Sequence, residues 1–575
     1  MKESESQPLF AAAVREAWRL GYGWKQLRGD IFAGLTVGIV AIPLAMALAI
    51  ASGAPPQYGL YTAIIAGFII AITGGSRFNI SGPTAAFVVI LLPITHDFGL
   101  GGLMIATIMA GIMMFGMGIT GMGKFIEYIP YPVTMGFTAG IGVVIATLQI
   151  KDFLGLDVGV LDGHYLEKVW LLIQALPTAH FPDMLLGFLT LGVMLGWHRL
   201  KTTLPAPLVA LLVGSGLAWG LGYFFPEFHA ITINDKFNGI PSQLPQFMLP
   251  WELPNAKGEP IGLSFDMIRL LLGSAFAIAM LGAIESLLCA VVADGMTGTK
   301  HNPNAELIGQ GLGNIIAPFF GGISATAAIA RTATNIRSGA TTPLAAIIHA
   351  LFLLIVLISL SNLLGYVPMA TLAALLLIVA WNMSDAHGFM RLLKIAPRSD
   401  LLVLFVCFGL TVLFDMTISV TAGLVLAAML FIRQMAELTG AELVENQYHM
   451  RNNTPLPEHV LIYDINGPLF FGAAEKAMKT LQIVHADVRV LILDMQDVSL
   501  MDVTGMMALE SLINDLNKNN VLVIISGLQP RLILRLRKAG IRKVAGKIHF
   551  SQDINEAIHM INSGATRHHR PAPAV

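Results

Sequence analysis

Apolar stretches of membrane-crossing length recur from about Ile31 to Ile432, separated by short polar connections. A straight helix needs about 20 apolar residues to cross a bilayer core. Candidate spans lie at 31–51, 58–73, 83–95, 101–122, 133–150, 184–197, 207–225, 264–292, 305–320, 325–335, 343–364, 367–381, 401–414 and 418–431. Several are shorter than a straight span, which is how helices broken inside a membrane read. The pattern predicts a polytopic α-helical membrane protein of about fourteen transmembrane segments. After about residue 437 the period changes. Strand patterns at 459–466, 488–494 and 521–525 alternate with helix patterns at 474–486, 505–518 and 531–539. Such alternation predicts a soluble α/β domain over 437–562. The stretch 563–575, with Arg567, His568, His569, Arg570, Pro571 and Pro573, reads as disordered.

Two irregularities break the apolar pattern. The first is Gly74-Gly-Ser-Arg-Phe-Asn-Ile-Ser-Gly-Pro-Thr-Ala-Ala-Phe87, and the second is Gly321-Gly-Ile-Ser-Ala-Thr-Ala-Ala-Ile-Ala-Arg331. Each opens on Gly-Gly, runs through small and hydroxylated residues, and continues as an apolar helix. Lipid tolerates broken backbone only where protein or a water-filled cavity satisfies it. Paired breaks in two membrane halves point to a transporter's binding site.

Composition agrees with a polytopic membrane protein. The 575 residues are 55% hydrophobic and 12% charged, where soluble domains carry about 25% charged residues; mean hydropathy is +0.70. Residues 1–30 show no signal-peptide pattern. Arg15, Arg19, Lys25 and Arg28 precede the first span, and with that end inside, the even-numbered connections carry most of the remaining membrane-domain cations. This places both termini in the cytoplasm. A net charge of −1 gives no support for nucleic-acid binding. Cys289 and Cys407 lie in apolar spans, so neither a disulfide framework nor a cysteine metal site is expected. There is no Walker A sequence, HExxH or nucleophile elbow. The chain reads as a carrier rather than an enzyme, with no cofactor.

An anion needs positive potential without a permanent plug. Helix N-termini supply it, each worth roughly half an elementary charge. Donors are expected at Thr84, Ala85 and Phe87 after the first break, and at Ala327, Ala328 and Ile329 after the second. Small residues could instead serve only tight helix packing. Glu285 is an intramembrane carboxylate, which is costly when ionised and a functional candidate by default; proton symport through it is the leading reading, and a static ion pair with Arg331 the alternative. Arg331 could face an anion, snorkel to a lipid phosphate, or neutralise Glu285. Pro43 sits inside the first span and predicts a bend. Glu306, Gln310 and Asn314 share one helix face and are expected to bond between helices. His349 reads as a packed, hydrogen-bonded residue.

These sequences resemble the SulP family of anion permeases along essentially the whole chain, and within it the bacterial C4-dicarboxylate transporters. The likeness is carried by Ala33-Gly-Leu-Thr-Val-Gly-Ile-Val-Ala-Ile-Pro-Leu-Ala-Met-Ala47, the first break, Leu281-Gly-Ala-Ile-Glu-Ser-Leu-Leu-Cys-Ala290, Glu306-Leu-Ile-Gly-Gln-Gly-Leu-Gly-Asn314, and the segment 331–339. Asp494 and Asp502-Val-Thr-Gly505 resemble the family's STAS domain. The resemblance implies two inverted repeats of seven segments within 31–436. Spans 1–4 and 8–11 would form a moving core, and spans 5–7 and 12–14 a gate. It also implies an elevator-like cycle, a homodimer, and a site lined by Ala41 and Pro43 beside Glu285. Sodium-coupled relatives carry Asp at the position of Glu285 and hydroxylated residues at Cys289 and Ile329, so the substitutions here argue against sodium. In the tail, Thr504 and Asp502 occupy a turn where signalling relatives carry a phosphorylated hydroxyl; Thr504 could be modified by a soluble regulator, or could cap the following helix. The expected partners are a small anion (C4-dicarboxylate, or alternatively sulfate or bicarbonate), protons, and the lipid of a bacterial cytoplasmic membrane. A channel or a membrane sensor are the other classes considered.

Overall fold

The computed structural model describes residues 9–126, 128–159, 161, 163–197, 199, 204–255, 258–414, 416–438, 440–443, 459–470 and 488–563. The expected helix at 474–486 and, past Ser563, the expected disordered tail lie outside the described residues. The chain divides into two compact units, Met1–Val425 and Leu426–Val575.

The first unit is helical. Its elements are α1 (Ala12–Arg19), α2 (Trp24–Ala51), α3 (Pro56–Thr73), β1 (Ser81–Gly82), α4 (Ala85–Ile119), α5 (Gly123–Ile126), α6 (Tyr131–Leu154), α7 (Tyr165–Ala175), α8 (Phe181–Trp197), α9 (Ala206–Phe224) and α10 (Ile233–Phe237), then α11 (Phe265–Thr297), α12 (Pro303–Ile316), β2 (Thr326–Ala327), α13 (Ile329–Arg337), α14 (Leu344–Leu364), α15 (Met369–Ser384), α16 (Ala386–Ile395), α17 (Arg398–Leu413) and α18 (Met416–Leu438). The last of these runs into the second unit. Among the described residues, nine helical stretches are long and apolar enough to cross a membrane. α7 with the 3-10 turn Leu176–Thr178 and α8 make a further pair, bent by 112°. The expected spans at 83–95 and 101–122 are the two arms of α4, separate helices on either side of Gly99, whose φ of 70° and ψ of −174° stop the helical ladder. Pro43 does not interrupt α2, which runs helical through it from Trp24 to Ala51.

The helices pack in two groups. In one, α4 lies against α11 and α12, α3 against α12 and α14, and α2 against α3, α13 and α14. In the other, α6 packs on α15 and α17, and α8 on α9 and α15. Small residues permit the closest approaches: a Cβ on Gly309 of α12 would lie 2.6 Å from the Gly74 Cα, and one on Gly311 2.6 Å from the Phe115 amide nitrogen of α4.

The second unit holds a five-stranded sheet in the order β3 (Gly440–Leu443), β4 (Val460–Asn466), β5 (Val490–Asp494), β6 (Leu522–Ser526), β7 (Ile548–Ser551). β3 pairs antiparallel with β4, and the remaining pairs are parallel. Leu491-Ile-Leu493 and Leu522-Val-Ile-Ile525 are buried throughout, as strands covered on both faces must be. One face packs Leu493, Val523 and Ile525 against Leu512 and Leu532, and the other packs Ile462, Ile492 and Ile524 against Ala557. The strands expected at 459–466, 488–494 and 521–525 and the helices expected at 505–518 and 531–539 are present, with three further elements: β3, β7 and the helix Ile554–Asn562.

Candidate functional site

The two Gly-Gly breaks meet. β1 and β2 pair antiparallel, Ser81 opposite Ala327 and Gly82 opposite Thr326. β1 leads into α4 and β2 into α13, so the two helices leave this short ladder from opposite ends with their N-termini toward it. Thr84 is the N-cap of α4 and Ala328 that of α13. Thr84 and Ala85 are buried, Ala328 is half-buried, and Ile329 is exposed.

α12 pins both breaks with three buried polar residues one helical turn apart. Glu306 Oε2 accepts the amides of Gly75 (3.0 Å) and Ser76 (2.9 Å), while Oε1 accepts Asn79 Nδ2 (2.8 Å) and Gln310 Nε2 (3.1 Å). Gln310 Nε2 also donates to Ser81 Oγ at 2.9 Å. Asn314 takes the Ala325 amide on Oδ1 and donates Nδ2 to the Ala325 carbonyl, both at 2.8 Å. These residues were expected to bond between helices; their partners outside α12 are instead the two breaks.

α11 contributes the carboxylate and further ties. The Thr84 hydroxyl donates to Glu285 Oε2 at 3.4 Å. Asn79 Nδ2 donates to the Ser286 carbonyl (3.2 Å), Thr326 Oγ1 to the Gly282 carbonyl (3.0 Å), and Cys289 Sγ to Thr332 Oγ1 (3.1 Å). Glu285 keeps some exposure, whereas Glu306 is 1% exposed. The two carboxylates of this region therefore differ in kind: Glu306 is saturated by four donors, and Glu285 holds one long bond at a helix N-terminus.

Arg331 is 5% exposed and donates to the Pro83 carbonyl. No ion pair within 4.0 Å joins it to Glu285 among the described residues, so the static-pair alternative is not realised. Its guanidinium ties α13 to the residue before the α4 cap.

The expected donors need correction at two positions. The Phe87 amide is directed to the Thr84 carbonyl at 3.3 Å, and the Phe87 side chain is buried. The Ala328 amide is taken by the Ile80 carbonyl at 3.1 Å. Ladder pairing consumes what a lone helix end would leave free. Helix geometry leaves Ala85 and Ala86 at one N-terminus, and Ile329 and Ala330 at the other, without an intrahelical acceptor. Ala41 and Pro43 are buried in α2, which packs against both α4 and α13. His349 is buried with no partner at either ring nitrogen, contrary to the hydrogen-bonded residue expected. No group of three or more His, Cys, Asp or Glu residues is arranged to hold a metal among the described residues.

In the sheet unit, Asp502 caps the helix Val503–Lys518 by accepting the Gly505 amide at 2.7 Å. Thr504 is therefore not the cap; it lies inside the first turn and is exposed.

Residues 27–407 match the sulfate permease family and residues 452–557 the STAS domain. The chain is 40% identical over 536 residues to the candidate sulfate transporter YvdB of Bacillus subtilis (strain 168), covering 92% of this chain and 97% of that one. It is 32% identical over 538 residues to the bicarbonate transporter BicA of a Picosynechococcus strain, covering 90% and 91%. The solved transmembrane domain of a cyanobacterial BicA superposes with a TM-score of 0.59 at 30% identity over 71% of this chain and 98% of that one. The overall structure of SLC26A9 shares the fold, with a TM-score of 0.83 at 17% identity over 97% and 93%. With two helix N-termini meeting at a pair of membrane breaks and this match across both units, the chain belongs to the sulfate permease family and is an anion transporter with a C-terminal STAS domain.

Proposed function

We propose that this chain is a secondary active carrier of C4-dicarboxylates such as succinate, fumarate or aspartate, coupled to protons. The anion binds where α4 and α13 aim their first amides at the β1–β2 ladder, in a site bordered by Ala41, Pro43, Thr84, Ala85, Phe87, Ala327, Ala328, Ile329 and Arg331. The carrying observation is the placement of Glu285 beside Thr84 at the α4 N-terminus. A carboxylate that takes a proton there stops repelling the anion, so the two enter together. Dicarboxylate as substrate is supported by the resemblance of the breaks and of the Leu281–Ala290 motif to dicarboxylate carriers.

The group containing α2, α3, α4 and α11–α14 is the moving core, and the group built on α6, α8, α9, α15 and α17 is the gate. The carrier works as a homodimer in a bacterial cytoplasmic membrane with both termini inside. Its STAS domain receives regulation at Thr504. Sulfate or bicarbonate is the second reading, favoured by the names of the relatives above.

The test is uptake of labelled succinate into vesicles under an imposed proton gradient, with sulfate and bicarbonate as competitors. Succinate accumulation that collapses with the gradient is expected. Accumulation of sulfate or bicarbonate in its place would refute the dicarboxylate assignment.

A further inference from the structure

The chain before the first span makes specific contact with the first break. The Ala11 amide donates to the Thr73 carbonyl at 3.0 Å and the Ala13 amide to the Gly74 carbonyl at 3.4 Å. Arg77 Nε, three residues further along the break, donates to Glu16 Oε2 at 3.1 Å and completes an ion pair. α1 thus supplies donors to the last two carbonyls at the α3 terminus, which the break would otherwise leave without helical partners. Its inner face is made of Ala12, Ala13 and Ala17, all buried, and the helix packs on α3.

The outer face of the same segment has a different character. Trp18 is 81% exposed, Leu20 67% and Trp24 78%. Arg15, Arg19, Lys25 and Arg28 are exposed among them, and none forms an ion pair among the described residues. Trp24 is also the first residue of α2, a membrane-crossing helix. Indole rings alternating with cations at the mouth of a span are the chemistry of the membrane interface: the rings sit at headgroup depth, and the cations pair with anionic headgroups.

We propose that α1, the turn after it and the first turns of α2 form a docking face for anionic phospholipid, and that its occupancy steadies the first break. Lipid phosphates pair with Arg15, Arg19, Lys25 and Arg28, while Trp18 and Trp24 bury their rings beside them. With the segment held flat, the bonds from Ala11, Ala13 and Glu16 stay made, and the loop leading to β1 keeps its geometry. Dislodging it releases the Thr73 and Gly74 carbonyls and frees Arg77. The inference rests on the reading of the breaks as the anion site, since it assigns lipid the role of regulating that site.

The experiment uses the purified full chain in vesicles of phosphatidylcholine, alone or with one third phosphatidylglycerol, at equal protein density. Two quantities are read: anion flux, and quenching of tryptophan fluorescence by brominated phosphatidylglycerol. The expected result is flux at least three-fold faster with phosphatidylglycerol, and quenching that falls in the Trp18→Phe/Trp24→Phe variant. A variant with Arg15, Arg19, Lys25 and Arg28 all changed to Gln should lose the lipid response of flux, with its melting temperature in detergent confirming that it folds. Equal flux in both lipids, or a lipid response retained by that variant, overturns the proposal. Should no vesicle show flux at all, the carrier reading fails instead, and quenching unaltered by loss of the two tryptophans still overturns lipid docking.

Discussion

Glu306 of α12 accepts the backbone N–H of Gly75 at 3.0 Å, linking the first break to a helix more than two hundred residues away in sequence. The same carboxylate takes Ser76, Asn79 and Gln310, and the next two turns of the helix take Ser81 and Ala325. One polar stripe therefore fixes the position of both helix N-termini, and the proposed anion site would inherit its geometry from α12. Removing Glu306 leaves the buried Gly75 and Ser76 amides without an acceptor, each costing about 1–3 kcal/mol before relaxation, while Asn79 and Gln310 keep the Ser286 carbonyl and the Ser81 hydroxyl. Glu306→Ala should lower stability by at least about 2 kcal/mol, visible as a falling melting temperature in detergent, and should abolish flux. Glu306→Gln keeps one acceptor oxygen and should fall between. Wild-type melting in Glu306→Ala would remove the stripe from the account.

The contact beneath that carboxylate is steric. A Cβ on Gly309 would meet the Gly74 Cα at 2.6 Å, and neither partner is a flexible side-chain end that could swing aside. Overpacking of this kind costs about 1–3 kcal/mol. Gly309→Ala should push α12 away from the first break. Weakened anion affinity is expected, together with a lower melting temperature, measured by ligand titration and thermal unfolding of the same sample. Gly273 of α11, with open space around it, is the control: Gly273→Ala should change neither.

Much of this arrangement was legible in the residues. The Gly-Gly pairs mark the breaks because apolar helices cannot continue through them, and the spacing of Glu306, Gln310 and Asn314 places them on one face whatever they touch. The β1–β2 ladder was not legible. Two residues per strand carry no period, and the pairing joins segments remote in sequence. That ladder is why the amide expected to be free at Ala328 is already engaged. α1 was missed because its inner face is only alanine, too weakly apolar to show as a stripe.

Glu285 and Thr84 give the proton reading its sharpest test. Glu285→Gln preserves shape and a hydrogen-bonding group for the Thr84 hydroxyl but cannot gain or lose a proton. Anion exchange should persist within a few-fold of wild type, while accumulation driven by a pH gradient should disappear. The comparison is counterflow against gradient-driven uptake in the same vesicles. Gradient-driven uptake retained at wild-type rate would take Glu285 out of the coupling.

The STAS unit carries its own pH dependence. Half-buried Asp494 is raised above its ordinary value near 3.8, first by loss of water contact and then by the negative charges of Asp464, Asp497 and Asp553, against a lowering hydrogen bond from the Gln496 amide. A carboxyl whose folded value lies above its unfolded one binds its proton more tightly in the native state. Its contribution therefore favours folding at low pH and is lost as pH rises from the unfolded value through the folded one, at no more than about 1.4 kcal/mol per pH unit. Asp494→Asn keeps an oxygen for the Gln496 amide and removes the charge. Hydrogen exchange of the β5 and β6 amides, followed between about pH 4 and pH 8 and corrected for intrinsic rates, should show wild type losing protection with rising pH. The variant should show a flatter profile and greater protection at neutral pH. A variant less protected than wild type at neutral pH would mean that the ionised carboxylate stabilises the central strands of the sheet.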